Sequence, residues 1–209
     1  MEFNEKQIQI IETAEQLFAH KGFDGTSVRD IADEADVNVA MISYYFGSKE
    51  KLLESLFSYR GEEGILKLER VVHNREVTAL QKVNMLIDYY IDKLQSQPCF
   101  HKIMMREQVA DFRTATTSMI IDLRKRNQEL VKKLIHEGQK TGEFKKGVDV
   151  PMMMATLIGT VSHLVTTQHY YKEINNLQSL SDEEFKKLLK KKLSTHLKTL
   201  FKVILTHEA

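Results

Sequence analysis

One stretch of this chain, Thr26 to Lys51, restricts its folding more than any other. It encodes two helices too short to stand alone and the turn that reverses the backbone between them. Thr26 and Ser27 can cap the first helix, and Asp30, three residues after Ser27, completes a capping-box pair. Val28, Ile31, Ala32 and Ala35 then fall on one face. Asp36 stands where the chain reverses, a place that calls for positive φ, which Asp tolerates better than most residues bearing a side chain. Asn38 caps the second helix, whose inward side is Val37, Ile42 and Phe46 and whose outward side is Val39, Ala40, Met41, Ser43, Tyr44 and Tyr45.

That outward face carries no charge from Val37 to Gly47. A helix entering a major groove needs a slim profile, side chains that reach base edges or thymine methyls, and phosphate anchors at its flanks. Small Ala40 and Ser43 permit close approach, Met41 offers apolar contact, and Tyr44 and Tyr45 end in hydroxyls suited to phosphate oxygens. Gly47 and Ser48 open the next helix, so its unbonded N–H groups with Lys49 beside them form an anion site. Arg29 and the Thr26 hydroxyl can do the same at the preceding helix.

The runs F-D-G-T-S-V-R-D-I-A-D-E-A-D-V and I-S-Y-Y-F-G-S-K-E-K-L-L resemble the N-terminal DNA-binding domain of the tetracycline-repressor (TetR) family of bacterial transcription regulators. The resemblance spans about fifty residues in a specific order. It implies that Thr26, Arg29, Asn38, Ala40, Met41, Ser43, Tyr44, Tyr45 and Lys49 face DNA, and Ser27, the cap beside them, is counted in the DNA-binding set. Two positions depart from the family pattern, which commonly has Gly where Asp36 stands and Tyr where Ser43 stands. A contact usually made by that Tyr is therefore either absent or taken over by Tyr44.

Charge constrains how such a chain could hold DNA. Net charge is only +1, and within residues 1–60 six basic side chains face eleven acidic ones. A protein that coats DNA non-specifically draws its affinity from neutralising phosphates and would not have this balance. The acidic groups are expected away from the groove, with few phosphate contacts and a shallow dependence of affinity on salt. A single cysteine, Cys99, rules out an internal disulfide. The N-terminus lacks a basic segment followed by an apolar run, and the longest low-charge stretch, Met152 to Tyr171, is interrupted by Gly159, Ser162 and His163. These features predict a cytoplasmic protein without a membrane partner. Phosphate loops, dinucleotide fingerprints and zinc spacings are absent from the sequence, and Cys99 with His101 has no identifiable third partner, so neither an enzyme nor a cofactor is expected.

Elsewhere the apolar period is helical throughout, predicting an all-α chain of about nine helices: a helix-turn-helix DNA-binding domain at residues 1–48 and a helical regulatory and dimerisation domain at residues 49–209. A first helix runs from an Asn4 cap to Lys21, and a fourth, braced by Leu52, Leu53, Leu56 and Phe57, runs from Lys49 to about Leu68. Displacing that helix must carry the DNA-reading unit with it. Leu80 to Leu94 mark a fifth helix, Phe100 to Phe112 a sixth, and about Thr114 to Gly138 a seventh, closing in a G-x-x-x-G-x-F run. The last two are Val150 to about Tyr171, with Thr156, Gly159, Thr160, His163 and Thr167 along one line, and Asp182 to about Thr206, with a broad apolar stripe opposite lysines. Pairing these two helices with those of a second copy would bury both stripes in a four-helix bundle, as the resemblance also implies.

Dimerisation has its own rationale, because one short recognition helix reads only a few base pairs. Two related by a twofold axis, about 34–36 Å apart or a multiple of that, would read a palindromic operator in double-stranded DNA. Met85, Tyr89, Met104, Gln108, Met119 and His163 combine flexible and aromatic surface with few polar anchors and are candidates to hold a small, largely apolar effector. The expected function is a repressor released from its operator by that effector. A TetR-like activator, or a helical interaction module that uses the Thr26 to Lys51 face to bind protein, are the alternatives.

Overall fold

The computed structural model describes residues 3–109 and 115–206, without the side chains of 108, 109 and 115. Its described residues form ten helices and no strand. They are α1 Glu5–Lys21, α2 Val28–Glu34, α3 Val39–Phe46, α4 Lys49–Val72, α5 Ala79–Ser96, α6 Pro98–Val109, α7 Ala115–Lys140, α8 Val150–Thr166, α9 Gln168–Ile174 and α10 Asp182–Leu205. Phe112, expected in the sixth helix, lies outside the described residues.

Two compact units divide the chain: Met1–Leu66 with Gln97–Arg126, and Lys67–Ser96 with Asn127–Ala209. The first is built on α1, which packs on α2 and α6 around Ile10, Ile11, Ala14 and Phe18, all nearly inaccessible. Phe100 of α6 meets Phe57 of α4 at 5.4 Å between ring centroids. Arg106 of α6 donates to the carbonyls of Phe18 and Ala19 at 3.1 and 3.2 Å, supplying the C-terminal turn of α1 with the donors its own ladder cannot provide. Gly61 matters because a Cβ there would lie 2.7 Å from the methyls of Leu123 on α7. An ion pair runs from the half-buried Arg60, at Nε, to Glu15 Oε2 at 2.7 Å, with Glu15 only 3% exposed. Burial opposes the charge on Arg60, yet the hydrogen bond and negative charge of Glu15 outweigh it and hold the guanidinium protonated.

In the second unit α10 packs on α5 and α8. Phe185, Leu189, Leu193, Leu197, Phe201 and Leu205, spaced by four residues, are all buried within the chain's own fold. Most of the α10 stripe is thus covered within the chain, on the side of α5, while Leu188 and Leu200 of the same stripe are half-buried. Lys82 is 1% exposed and donates to the Val72 carbonyl at 3.0 Å and to Glu137 at 2.8 Å, tying α4, α5 and α7. Glu143 accepts from the N–H groups of Ala79 and Leu80 at 2.8 and 3.1 Å and so caps α5 from sixty residues away in sequence. The G-x-x-x-G-x-F run has a packing cause: the Phe144 ring lies against α7 so closely that a Cβ on Gly138 would be 2.2 Å from it.

The helix expected from Val150 to Tyr171 is two helices, α8 and α9, bent by 74°. The break falls at Thr167, at φ −101° and ψ 22°, whose N–H and hydroxyl both donate to the His163 carbonyl, at 2.9 and 2.7 Å. Among the described residues no single helix is long and apolar enough to cross a membrane; only the bent α8–α9 pair passes on length and composition.

Candidate nucleic-acid interface

The turn between α2 and α3 is fixed by short-range hydrogen bonds. Asp30 N–H donates to Ser27 Oγ at 3.1 Å while Ser27 N–H and Oγ–H both donate to Asp30 Oδ2 at 2.7 Å, the capping box read from the sequence. The Ser27 hydroxyl, then its N–H, hold the Asp30 carboxyl below the usual carboxylate range. Asp36 has φ 48°, as its place at the reversal requires, and Val37 N–H closes onto the Ala32 carbonyl at 3.0 Å. Gln9 of α1 donates to the Ala35 carbonyl at 2.9 Å, closing the end of α2. Asn38 Oδ1 accepts from Ala40 N–H at 2.8 Å and starts α3, which ends at Gly47 with φ 80°.

Ile42 and Phe46 are buried and Val37 is half-buried, so the inward side of α3 is as the sequence predicts. Outward stand Val39, 37% exposed, Ala40, Ser43, and Tyr44, which at 83% is the most exposed large apolar side chain among the described residues. Met41 and Tyr45 are half-buried; Tyr45 packs on the core and meets Tyr44 edge-on at 5.2 Å. Arg29 and Ser27 are exposed on α2 and its cap.

Thr26 corrects the sequence reading. It is 1% exposed, and its hydroxyl donates to the Gly22 carbonyl at 2.7 Å, so it braces the end of α1 and offers no hydroxyl to a phosphate. Lys49 is likewise engaged internally. Its ammonium donates to the carbonyls of Phe23 and Thr26, both at 2.9 Å, and lies 4.2 Å from the centroid of the Phe23 ring. Of its three donors one remains for a phosphate. The first turn of α4 also has an anion of its own: Glu50 is held below the usual carboxylate range by its own N–H and by the Ser48 hydroxyl. Sequence reasoning missed Gln9, Glu50 and Arg106 here, because each acts on a backbone group far away or on its own turn.

The effector candidates are divided. Met104 and Met119 rest against the core of the first unit, whereas Met85, Tyr89 and His163 belong to the second. Met85 is 41% exposed, His163 is exposed on α8, and the half-buried Tyr89 ring lies 5.4 Å from the Lys67 ammonium. The side chain of Gln108 lies outside the described residues. Cys99 donates its thiol to Gln16 at 3.1 Å, and burial, then the charge of Glu15, push its pKa up, away from the reactive thiolate. Burial lowers the pKa of His101. Among the described residues no three His, Cys, Asp or Glu side chains converge as a metal site.

Comparison with known proteins bears directly on this geometry. Residues 10–56 match the N-terminal family of bacterial regulatory proteins of the tetR type, and residues 80–193, more than half the chain, match the tetracyclin repressor-like C-terminal domain. The chain belongs to the TetR family. It is 37% identical over 139 residues to YttP, an HTH-type transcriptional regulator of Bacillus subtilis, covering 65% of this chain and 66% of that protein. It is 31% identical over 159 residues to the HTH-type transcriptional repressor NicS of Pseudomonas putida, covering 71% of each. The fold matches that of the transcriptional regulator FadR of Bacillus subtilis, solved in complex with stearoyl-CoA, at a TM-score of 0.70 and 24% identity, over 91% of this chain and 96% of that one. TetR-family membership makes the chain a DNA-binding transcriptional regulator of the helix-turn-helix type.

Proposed function

We propose that this TetR-family chain is a cytoplasmic repressor that binds a palindromic operator as a homodimer and is released by a small, largely apolar effector. The observation that carries the reading is the bare, uncharged face of α3, held outward by caps at both ends inside a domain of the tetR type. Repression is the activity that the name of NicS gives to that relative, and FadR of Bacillus subtilis, which has this fold, was solved with stearoyl-CoA, a molecule that carries a long apolar acyl chain. In this reading residues 1–48 read DNA and residues 49–209 regulate and dimerise.

The last two long helices supply the dimer contact, though not with the stripe that α5 covers. On α8, Met152, Thr156, Gly159 and His163 fall on one line; Met152 is 64% exposed, Gly159 and His163 are also exposed, and Thr156 is half-buried. Along α10 the matching exposed line is Thr195, His196, Thr199 and Val203. Small residues on such lines let two helices approach closely, and Met152 and Val203 add apolar area at the ends. An effector that prefers the conformer with mismatched half-site spacing would weaken DNA binding through α4, whose residues run from the first unit into the second.

Electrophoretic shift of the DNA upstream of the chain's own gene tests the reading. A shift by wild type that disappears in Tyr44→Ala, with both proteins sedimenting as dimers, supports it. A monomer that shifts the same DNA, or a Tyr44→Ala dimer that binds as well as wild type, refutes it. Lys49→Ala is the wrong control, because its ammonium braces the carbonyls before α2.

A further inference from the structure

The exposed face of α3 is narrow, and its chemistry is unusual for a base reader. Val39, Ala40, Ser43 and Tyr44, at i, i+1, i+4 and i+5, form one strip along the helix, with Val39 37% and Tyr44 83% exposed. No guanidinium, ammonium, amide or carboxylate stands among them. The paired hydrogen bonds that read guanine come from Arg or Lys, those that read adenine from Asn or Gln, and cytosine is read by an acidic acceptor. α3 has none of these to offer. Asn38, the one amide beside it, is engaged as the cap of α3, its Oδ1 accepting from Ala40 N–H at 2.8 Å. The ammonium of Lys49 is turned toward the carbonyls of Phe23 and Thr26.

What remains in the major groove for such a strip is the C5-methyl group of thymine, the one apolar mark on a base edge, together with single hydrogen bonds from hydroxyls. We infer that α3 identifies its half-site by thymine methyl groups, with Val39 and Ala40 as the specificity-determining side chains and the hydroxyls of Ser43 and Tyr44 as its polar contacts. The inference rests on the DNA-binding reading above and adds the base chemistry that the reader selects. Ser43 supports it sterically: it stands one turn from Ala40 on the same strip, and both small side chains are exposed and free to approach a groove floor.

The experiment uses the full-length protein. Duplexes are selected from a random pool, and the preferred sequence is resynthesised with each thymine in turn, symmetrically in both half-sites, replaced by deoxyuridine, which removes the methyl and keeps the pairing. Burying one methyl is worth about fourfold in affinity, so a symmetric pair should cost roughly fifteenfold at one or two positions by fluorescence anisotropy. Val39→Ala, an exposed change that favours the helix, should bind the unmodified duplex more weakly and lose most of its sensitivity to deoxyuridine at one of those positions. Half-sites read through G·C pairs, with every deoxyuridine tolerated within twofold, would overturn the inference while leaving DNA binding intact. Failure to select any duplex would overturn DNA binding itself, and this inference with it.

Discussion

The short helices α2 and α3 and the packed pair α5 and α10 solve opposite problems. α2 and α3 have seven and eight residues and bury two side chains each, whereas α10 buries six along 24 residues. An isolated helix of two turns is unstable in water, so α2 and α3 take their order from outside: the Ser27–Asp30 box, the Asn38 cap, Gln9 on the Ala35 carbonyl and Lys49 on the carbonyls of Phe23 and Thr26. α10 carries its order in its own stripe. The difference teaches that a surface kept bare for a partner is held by polar ties at its edges, because its own side chains are not available for packing.

Four perturbations set the two regions against each other. Leu197→Ala removes an inaccessible side chain from the middle of the α10 stripe and should cost about 2–5 kcal/mol in chemical denaturation at fixed protein concentration. Lys49→Met leaves the carbonyls of Phe23 and Thr26 without their donor and should cost about 1–3 kcal/mol. Hydrogen exchange should then quicken in α2 and α3 before α10; equal quickening in all three would break the comparison. Ser27→Ala removes the cap of α2 at a cost of about 1 kcal/mol, with DNA affinity falling while the dimer stays intact. Smallest is the effect of acid. The carboxyls of Asp30 and Glu184 are both held below their ordinary values by capping serines, so the capping contribution is full above the ordinary carboxylate range and is lost as pH falls through the depressed values. Below about pH 4 amide exchange should rise in α2 more than in α10, and Ser27→Ala should flatten the α2 response.

Local features were legible in the sequence because their causes are local. The caps at Asn4, Ser27 and Asn38, the positive φ of Asp36 and the apolar period of most helices each follow from residues within one or two turns. Val39, Ala40, Ser43 and Tyr44 on the outward side of α3 were legible for the same reason, whereas Met41 and Tyr45, expected beside them, are half-buried. Side chains that act on distant partners were not. Lys82 resembles a solvated lysine until Val72 and Glu137 close around it, and Arg60 finds Glu15 across 45 residues. Thr26 misled because it looks like a phosphate anchor in sequence, while the acceptor its hydroxyl uses is a backbone carbonyl, and the two carbonyls that engage Lys49 are likewise announced by no pattern of side chains. The break at Thr167 was hidden because the apolar period runs on through it, and only the backbone angles of Thr167 depart from the helix.

The sole cysteine sits where thiol chemistry is suppressed, half-covered and hydrogen-bonded to Gln16. A second cysteine placed on an open surface, at Tyr170 on α9 for instance, would react with maleimide reagents well ahead of Cys99 at neutral pH. Each subunit would then bear a single fluorophore, and the separation of the two dyes in a dimer could be followed as operator and effector are added, with the native sequence otherwise unaltered.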